Sequence, residues 1–236
     1  MLERESRRLG VSAAQFVREA TIMRLGSIAG SRGDPDAQLT IADIAARAKA
    51  RSPRADERVK ALAEPGRLAA LHEAALLDTP PEPSFDRLTR LAAKVVNAPV
   101  ALVSAVDHDR QFFKSCLGLP EPWATERETP LSHSFCQHVV ASREPVIVTD
   151  AREDERLLDN LAIRDLGVIA YLGVPLFGRS GQAIGTLCVI DHEPRIWKSE
   201  EIALVKDVAA AVVTEISLRT GERAAVPAKT ADARTG

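Results

Sequence analysis

The stretch YLGVPLFGRSGQAIGTLCVID, residues 171–191, contains two apolar runs of strand length separated by GRSGQ at 178–182. A Gly-bearing connection of five residues turns one strand back along its neighbour. The spacing therefore predicts a hairpin of strands over 170–177 and 183–190. Pro175 lies inside the first run and has no N–H to give to a ladder, so it predicts an edge, a bulge or a free N–H side at that point.

Outward from this hairpin, helical and strand periods alternate in a definite order. PVIV at 145–148 predicts a short strand, and PVALVSAV at 99–106 is a nearly continuous apolar run, as in a strand covered on both faces. A turn through Asp107, His108 and Asp109 leads to a second strand over 111–117. The segment 118–130 has three prolines and alternating charge and reads as a long loop. A short helix over 135–141 follows, and the acidic segment 150–159 reads as loop and helical turn. Downstream, Ser199 with Glu200 and Glu201 starts a helix whose stripe is Ile202, Val205, Val208, Ala209, Val212 and Ile216. Upstream, Ser84 is the expected cap of a helix carrying Phe85, Leu88, Leu91, Ala92 and Val95. Before it, Arg67 to Leu77 reads as a helix that runs into the stiff TPPEP connector at 79–83.

The 236 residues comprise 45% apolar and 27% charged residues, with a formal net charge of -2. That balance is ordinary for a water-exposed globular chain and points to neither a nucleic acid nor a membrane partner. The first thirty residues carry Arg and Glu where a secretion signal has an apolar run, so a cytoplasmic location is expected. Three cysteines, Cys116, Cys136 and Cys188, occur without a C-x-x-C pair, which supports neither a disulfide scaffold nor a cysteine-rich zinc site. No phosphate loop, nucleophile elbow, paired-Gly dinucleotide fingerprint or H-E-x-x-H motif is present. The expected division is a helical arm over 1–30, a helical linker over 31–66, a main domain over 67–219, and a disordered tail over 220–236.

Four ordered segments carry a family resemblance: LLDTPPEPSFDRLTRLAAKVVNAPVALVSAVDHDRQFFKS at 76–115, SFCQHVVASREPVIVTDAREDERLLDN at 134–160, YLGVPLFGRSGQAIGTLCVID at 171–191, and SEEIALVKDVA at 199–209. Together they resemble a GAF domain. The resemblance implies an α+β fold: an antiparallel sheet of five or six strands, helices packed on one face, and a small-molecule pocket under loops on the other. It implies a sensor module of bacterial signalling proteins and leaves the ligand and any cofactor unspecified. Separately, RESRRLGVSAAQFVREA near the N-terminus resembles the helices of a ribbon-helix-helix DNA-binding domain. The strand that reads bases in that family is not found ahead of it, so either the true start lies upstream or the segment serves as a dimerisation arm.

The candidate ligand-binding residues are Phe113, Cys136, His138, Asp150, Asn160 and Tyr171. Cys136 and His138 sit near a helix start, where a reactive thiol or an anion could be stabilised; burial of the thiol as plain packing is the competing expectation. Asp150 and Asn160 belong to the loop that forms the pocket lid in GAF domains, and solvated charge competes there. Phe113 and Tyr171 could line a pocket or simply fill the core. Cys188, mid-strand among apolar neighbours, is expected to be inert core. His133, Cys136 and His138 have poor spacing for a metal site, and turn roles suit Asp107, Asp109 and Asp191.

The function these features favour is a non-enzymatic sensor that binds a small molecule or registers redox state. It would signal through terminal helices of a homodimer. Two alternatives stand beside it. One is a DNA-binding regulator with a built-in sensor. The other is a free methionine sulfoxide reductase, a GAF-fold activity that needs a resolving cysteine, and the loop at 154–164 carries none.

Overall fold

The computed structural model describes residues 57–225, together with Thr21, Arg24, Leu25 and Ile28 of the N-terminal region. Apart from those four residues, the arm over 1–30 with its ribbon-helix-helix resemblance and most of the 31–66 linker fall outside the described residues. The described residues from Arg58 onward form one compact unit. Its described elements are α1 (Pro65–Ala74), α2 (Pro83–Val95), β1 (Val100–Val106), β2 (Arg110–Leu117), α3 (Trp123–Glu126), β3 (Glu128–Pro130), a 3-10 turn (Leu131–His133), α4 (Cys136–Ser142), β4 (Val146–Val148), α5 (Ala162–Asp165), β5 (Ala170–Phe177), β6 (Ala183–Asp191) and α6 (Ser199–Ala225).

The strands form one six-stranded sheet in the order β3-β2-β1-β6-β5-β4, with antiparallel pairing throughout. All seven residues of β1 are buried. Ala101, Val103 and Ala105 face a core that also holds Leu71, Phe85, Leu172, Leu187, Val205 and Val212, contributed by α1, α2, β5, β6 and α6. Leu102 and Val106 face a second core, with Phe113, Phe135, Val139, Leu157, Tyr171 and Cys188. The expected α+β architecture is present: helices cover one face, and short elements and loops cover the other.

The hairpin runs as the spacing predicts, with Tyr171 opposite Ile190 and Gly173 opposite Cys188. Pro175 is compatible with an interior strand because β4 pairs β5 only from Tyr171 to Gly173. Beyond that point β5 has β6 as its sole neighbour. The 118–130 segment, expected to be loop throughout, contains α3 and the three-residue edge strand β3.

Two helix starts differ from expectation for one reason. Pro65 and Pro83 each occupy the first turn of a helix, where the missing N–H is not needed, so they begin α1 and α2 where a break was expected. Glu64 caps α1 by accepting from the Gly66 and Arg67 N–H groups at 2.8 and 2.6 Å. Glu82, not Ser84, is the N-cap residue of α2. At the other end, α6 continues to Ala225, past the position 220 at which a disordered tail was expected.

The TPPEP connector is fastened from below. Lys114 of β2 has no exposed side-chain surface, and its ammonium donates to Thr79 Oγ1 and Pro80 O at 2.7 Å and to Glu82 Oε1 at 2.6 Å. Arg219 of α6 donates to the same carboxylate at 2.8 Å and to the Ala74 carbonyl at 3.0 Å. Glu82 therefore joins the start of α2 to the sheet and to the last helix. Although partial burial disfavours its charge, the two cations outweigh that and hold its pKa below the usual carboxylate range. Removing this anion strands the buried ammonium, which is the costly half of a buried ion pair. Because Glu82 keeps 31% of its side-chain surface, Glu82→Ala is expected to cost about 2–3 kcal/mol in urea denaturation. A folded pKa below the unfolded one gives stability above the unfolded value that fades as pH falls through the folded value. Glu82→Gln should therefore flatten the acid limb of the stability curve.

Candidate functional site

On the loop-covered face, strand register decides which side chains meet. Tyr171 of β5 and Cys188 of β6 share this face, as do Leu102 of β1 and Phe113 of β2. Gly173 lies two residues beyond Tyr171 and so faces the same way. Without a side chain, it leaves the space that the phenol occupies: a Cβ at position 173 would lie 2.2 Å from Tyr171 Oη and 2.6 Å from its Cε1. The phenol consequently reaches Cys136, the first residue of α4, and donates to Sγ at 3.3 Å. Cys188 Sγ lies 3.9 Å from Cys136 Sγ, and both thiols are buried.

Polar groups hold this cluster in place. Gln111 donates to Ser104 Oγ at 3.3 Å, and Ser134 Oγ donates to Gln111 Oε1. Ser134 Oγ in turn accepts from the Gln137 N–H at 3.1 Å, which fixes the first turn of α4. Thr186 Oγ1 is buried and has no hydrogen-bond partner.

The two thiols are electrostatically unequal. Burial raises both. Around Cys136, hydrogen bonding from Cys188 and Tyr171 and the nearby hydroxyls of Thr186 and Ser104 outweigh burial and hold its pKa below that of an ordinary thiol. Cys188 stays well above an ordinary thiol because burial and the neighbouring Cys136 both disfavour its charge. Tyr171 is likewise pushed well above an ordinary phenol by burial and the two sulfurs. Low dielectric and aimed donors thus favour charge on one sulfur of the pair.

A cavity of about 20 Å³ adjoins the thiols, bounded by Leu102, Phe113, His133, Phe135, Cys136, Tyr171 and Cys188, among others. That is room for one or two waters and far less than a nucleotide needs. Its roof consists of short elements. His133 Nε2 meets Asp165 Oδ2 at 3.0 Å, and the His133 ring lies 5.2 Å from that of Trp123. Asn160 Nδ2 donates to the Ser134 carbonyl at 3.0 Å, and the Leu161 N–H to the Ser132 carbonyl at 2.9 Å.

Of the six candidate residues, the structure brings Phe113, Cys136 and Tyr171 together on the cavity wall. His138, Asp150 and Asn160 are not on it. One residue pair along α4 turns away from the sheet, so His138 points toward Arg58, Arg156 and Asp154; burial and the two arginines lower its pKa to about 4. Asp150 holds Arg152 through hydrogen bonds of 2.9 and 2.6 Å. Asn160 braces the roof from outside. Cys188 is the buried core residue expected, with its thiol pushed up by burial, and it also borders the cavity, as do His133 and Gln111. The hairpin register carries that signal: with Tyr171 opposite Ile190, Cys188 must share its face. Among the described residues, the group placing three potential ligand atoms within 4.8 Å of one another is Asp107, His108 and Asp109, a turn outside this cavity.

A sequence profile of the GAF domain matches residues 80–216, more than half of the chain, which therefore belongs to the GAF domain family. Over 155 residues it is 32% identical to a cyclic di-GMP phosphodiesterase of Pseudomonas aeruginosa; the match covers 65% of this chain and 26% of that protein's length. Among solved structures, the GAF domain of a Coxiella burnetii phosphoenolpyruvate-protein phosphotransferase superposes with a TM-score of 0.52 at 17% identity, covering 67% of this chain and 96% of that one. The corresponding Acinetobacter domain gives 0.50 at 18% identity, with coverage of 67% and 97%. These likenesses establish the fold.

Two measurements check the site. Gly173→Ala should cost about 1–3 kcal/mol by overpacking against Tyr171. It should also shift phenolate absorbance, which reports Tyr171 alone because the chain has one tyrosine, to lower pH than in the parent. For His138, a folded pKa near 4 under an unfolded value of about 6.5 means stability falls as pH drops through that window, because the unfolded state binds the proton first. His138→Gln should remove that slope in urea titrations at stepped pH.

Proposed function

We propose that this chain is a sensory input module that registers a small chemical signal on the loop-covered face and passes it to the helices behind the sheet, without turning over a substrate. The observation that carries this reading is the position of the cavity on β1 and β6. Each of these strands presents one face to the thiols and the other to α2 and α6. A change in packing on one side of so thin a layer alters the seating of the helices on the other, because close-packed interiors transmit strain. The output leaves through the helices toward a second copy of the chain, and Leu204 and Leu218 of α6 offer exposed apolar surface for that contact.

The cyclic di-GMP phosphodiesterase relative supports a signalling context, and the small cavity favours an input no larger than a few atoms. A larger ligand would first have to displace the roof, which short elements and side-chain hydrogen bonds hold in place. A ligand shifts such an equilibrium only by its different affinity for the two arrangements.

Hydrogen exchange on His133→Ala, which releases the roof from Asp165, tests the relay. Faster exchange is expected both in the roof and along α6 between Val205 and Ile216; exchange in α6 identical to the parent would defeat it. In parallel, a thioredoxin-coupled NADPH assay with free methionine sulfoxide and a chromatographic assay with cyclic di-GMP should show no turnover. Turnover that vanishes in Cys136→Ser would replace the sensor by an enzyme.

A further inference from the structure

We propose that Cys136 and Cys188 are a peroxide-responsive dithiol that closes to a disulfide between α4 and β6. This deepens the sensory reading of the same site by naming hydrogen peroxide as its input.

Three features of the site converge. The sulfurs are already 3.9 Å apart across 52 residues of sequence, and a disulfide would bring them to about 2 Å. The cavity that touches both sulfurs admits a molecule of one or two water volumes, which fits hydrogen peroxide and rejects methionine sulfoxide, nucleotides and bulky hydroperoxides. Donors are in place for the charged states: Tyr171 Oη is 3.3 Å from Cys136 Sγ, and Thr186 Oγ1 is buried without a partner beside the pair.

The aim of Tyr171 assigns the order of the thiols, since its hydroxyl donates to Cys136 Sγ at 3.3 Å and so favours charge on that sulfur. Cys136 carries the thiolate and attacks first; Cys188 remains a thiol and resolves. The Cys136 sulfur bonds to one peroxide oxygen as the O–O bond breaks, giving a sulfenic acid. The departing hydroxide takes up the proton that Cys136 had released and leaves as water. Cys188 then gives up its proton, its sulfur bonds to that of Cys136, and the S–O bond breaks. The second hydroxide leaves with the Cys188 proton as a second water. Two thiols and one peroxide thus become a disulfide and two waters: each sulfur loses one electron, and each peroxide oxygen gains one. Without a reductant the step runs once per molecule, as a sensor requires.

The full chain, reduced and then exposed to hydrogen peroxide under native conditions, provides the test. Free thiols should fall from three to one, with a Cys136–Cys188 linked peptide in the digest and Cys116 still reactive. In Cys188→Ser the reaction should stop at a Cys136 sulfenic acid that a cyclic dione traps, and Cys116→Ser should behave as the parent. Native Cys136 should react at least about tenfold faster than Cys136 in the urea-unfolded chain with hydrogen peroxide, and slower than the unfolded chain with tert-butyl hydroperoxide, which the cavity excludes. Trapping on Cys116 alone, or native rates no faster than unfolded ones, would overturn the proposal, and both readouts remain usable should Cys136→Ser fail to fold. If the disulfide forms while hydrogen exchange in α6 is unchanged, the dithiol chemistry stands and the relay falls. If His133→Ala moves α6 but peroxide forms no linked peptide, the relay stands and peroxide is not its input.

Discussion

Strand β1 has no solvent face, and that constraint organises everything around it. With β2 on one side and β6 on the other, its backbone groups are committed to the sheet, and all seven of its side chains must be buried. The chain therefore has to supply two separate covers. Ala101 and Ala105 are small on the side where α2 and α6 pack, so helices can approach the sheet closely; Leu102 and Val106 project into the other layer. Ser104 is the polar exception on β1. Its hydroxyl is satisfied by Gln111, which starts the polar network that runs on to Ser134 and the first turn of α4.

The two covers differ in physical character. The helical layer contains α6 at 27 residues and α2 at 13, long enough for side chains several turns apart to bury together. The opposite layer is made of α3 and α5 at four residues each, α4 at seven, and turns. Elements that short have little stability of their own, so tertiary ties fasten them: His133 to Asp165, Asn160 to the Ser134 carbonyl, and Gln137 to the Leu131 carbonyl at 2.7 Å. Local opening costs least where buried apolar contacts are few and hydrogen bonds lie exposed to solvent. The asymmetry leaves the domain one face built of short elements and one built of long helices.

The parts legible in the sequence were those specified by local period. The hairpin over 170–191, the apolar run of β1 and the stripe of α6 each declare themselves within a dozen residues. β3 did not, because three residues among prolines have no period; their pairing with Arg110, Gln111 and Phe112 is a property of β2. Pro65 and Pro83 read as interruptions because a proline that ends a helix and one that begins it look alike without knowledge of the flanking cap. At the site, Phe113, Cys136 and Tyr171 were visible as residue types suited to a pocket. The apolar neighbours of Cys188 correctly imply core packing, whereas its place beside the cavity is set by long-range register and is not legible locally. Asp150 and Asn160 attracted notice as polar lid residues, but their hydrogen-bonding capacity is spent within the lid itself.

Burial is usually taken to silence a thiol, and for Cys188 it does. Cys136 differs because desolvation removes competition from water as well as solvation of the charge, so a single aimed hydroxyl counts for more than it would at the surface. Tyr171 can be so aimed only because Gly173 leaves its ring a place to lie, and Gly173 can be a glycine in mid-strand only because β6 supports it across the ladder through Cys188. The residue that frees the phenol and the residue that would trap an oxidised sulfur are thus opposite one another in the same antiparallel pair. Repacking either disturbs both, so the geometry that activates one sulfur is coupled through the backbone to the geometry that places the second.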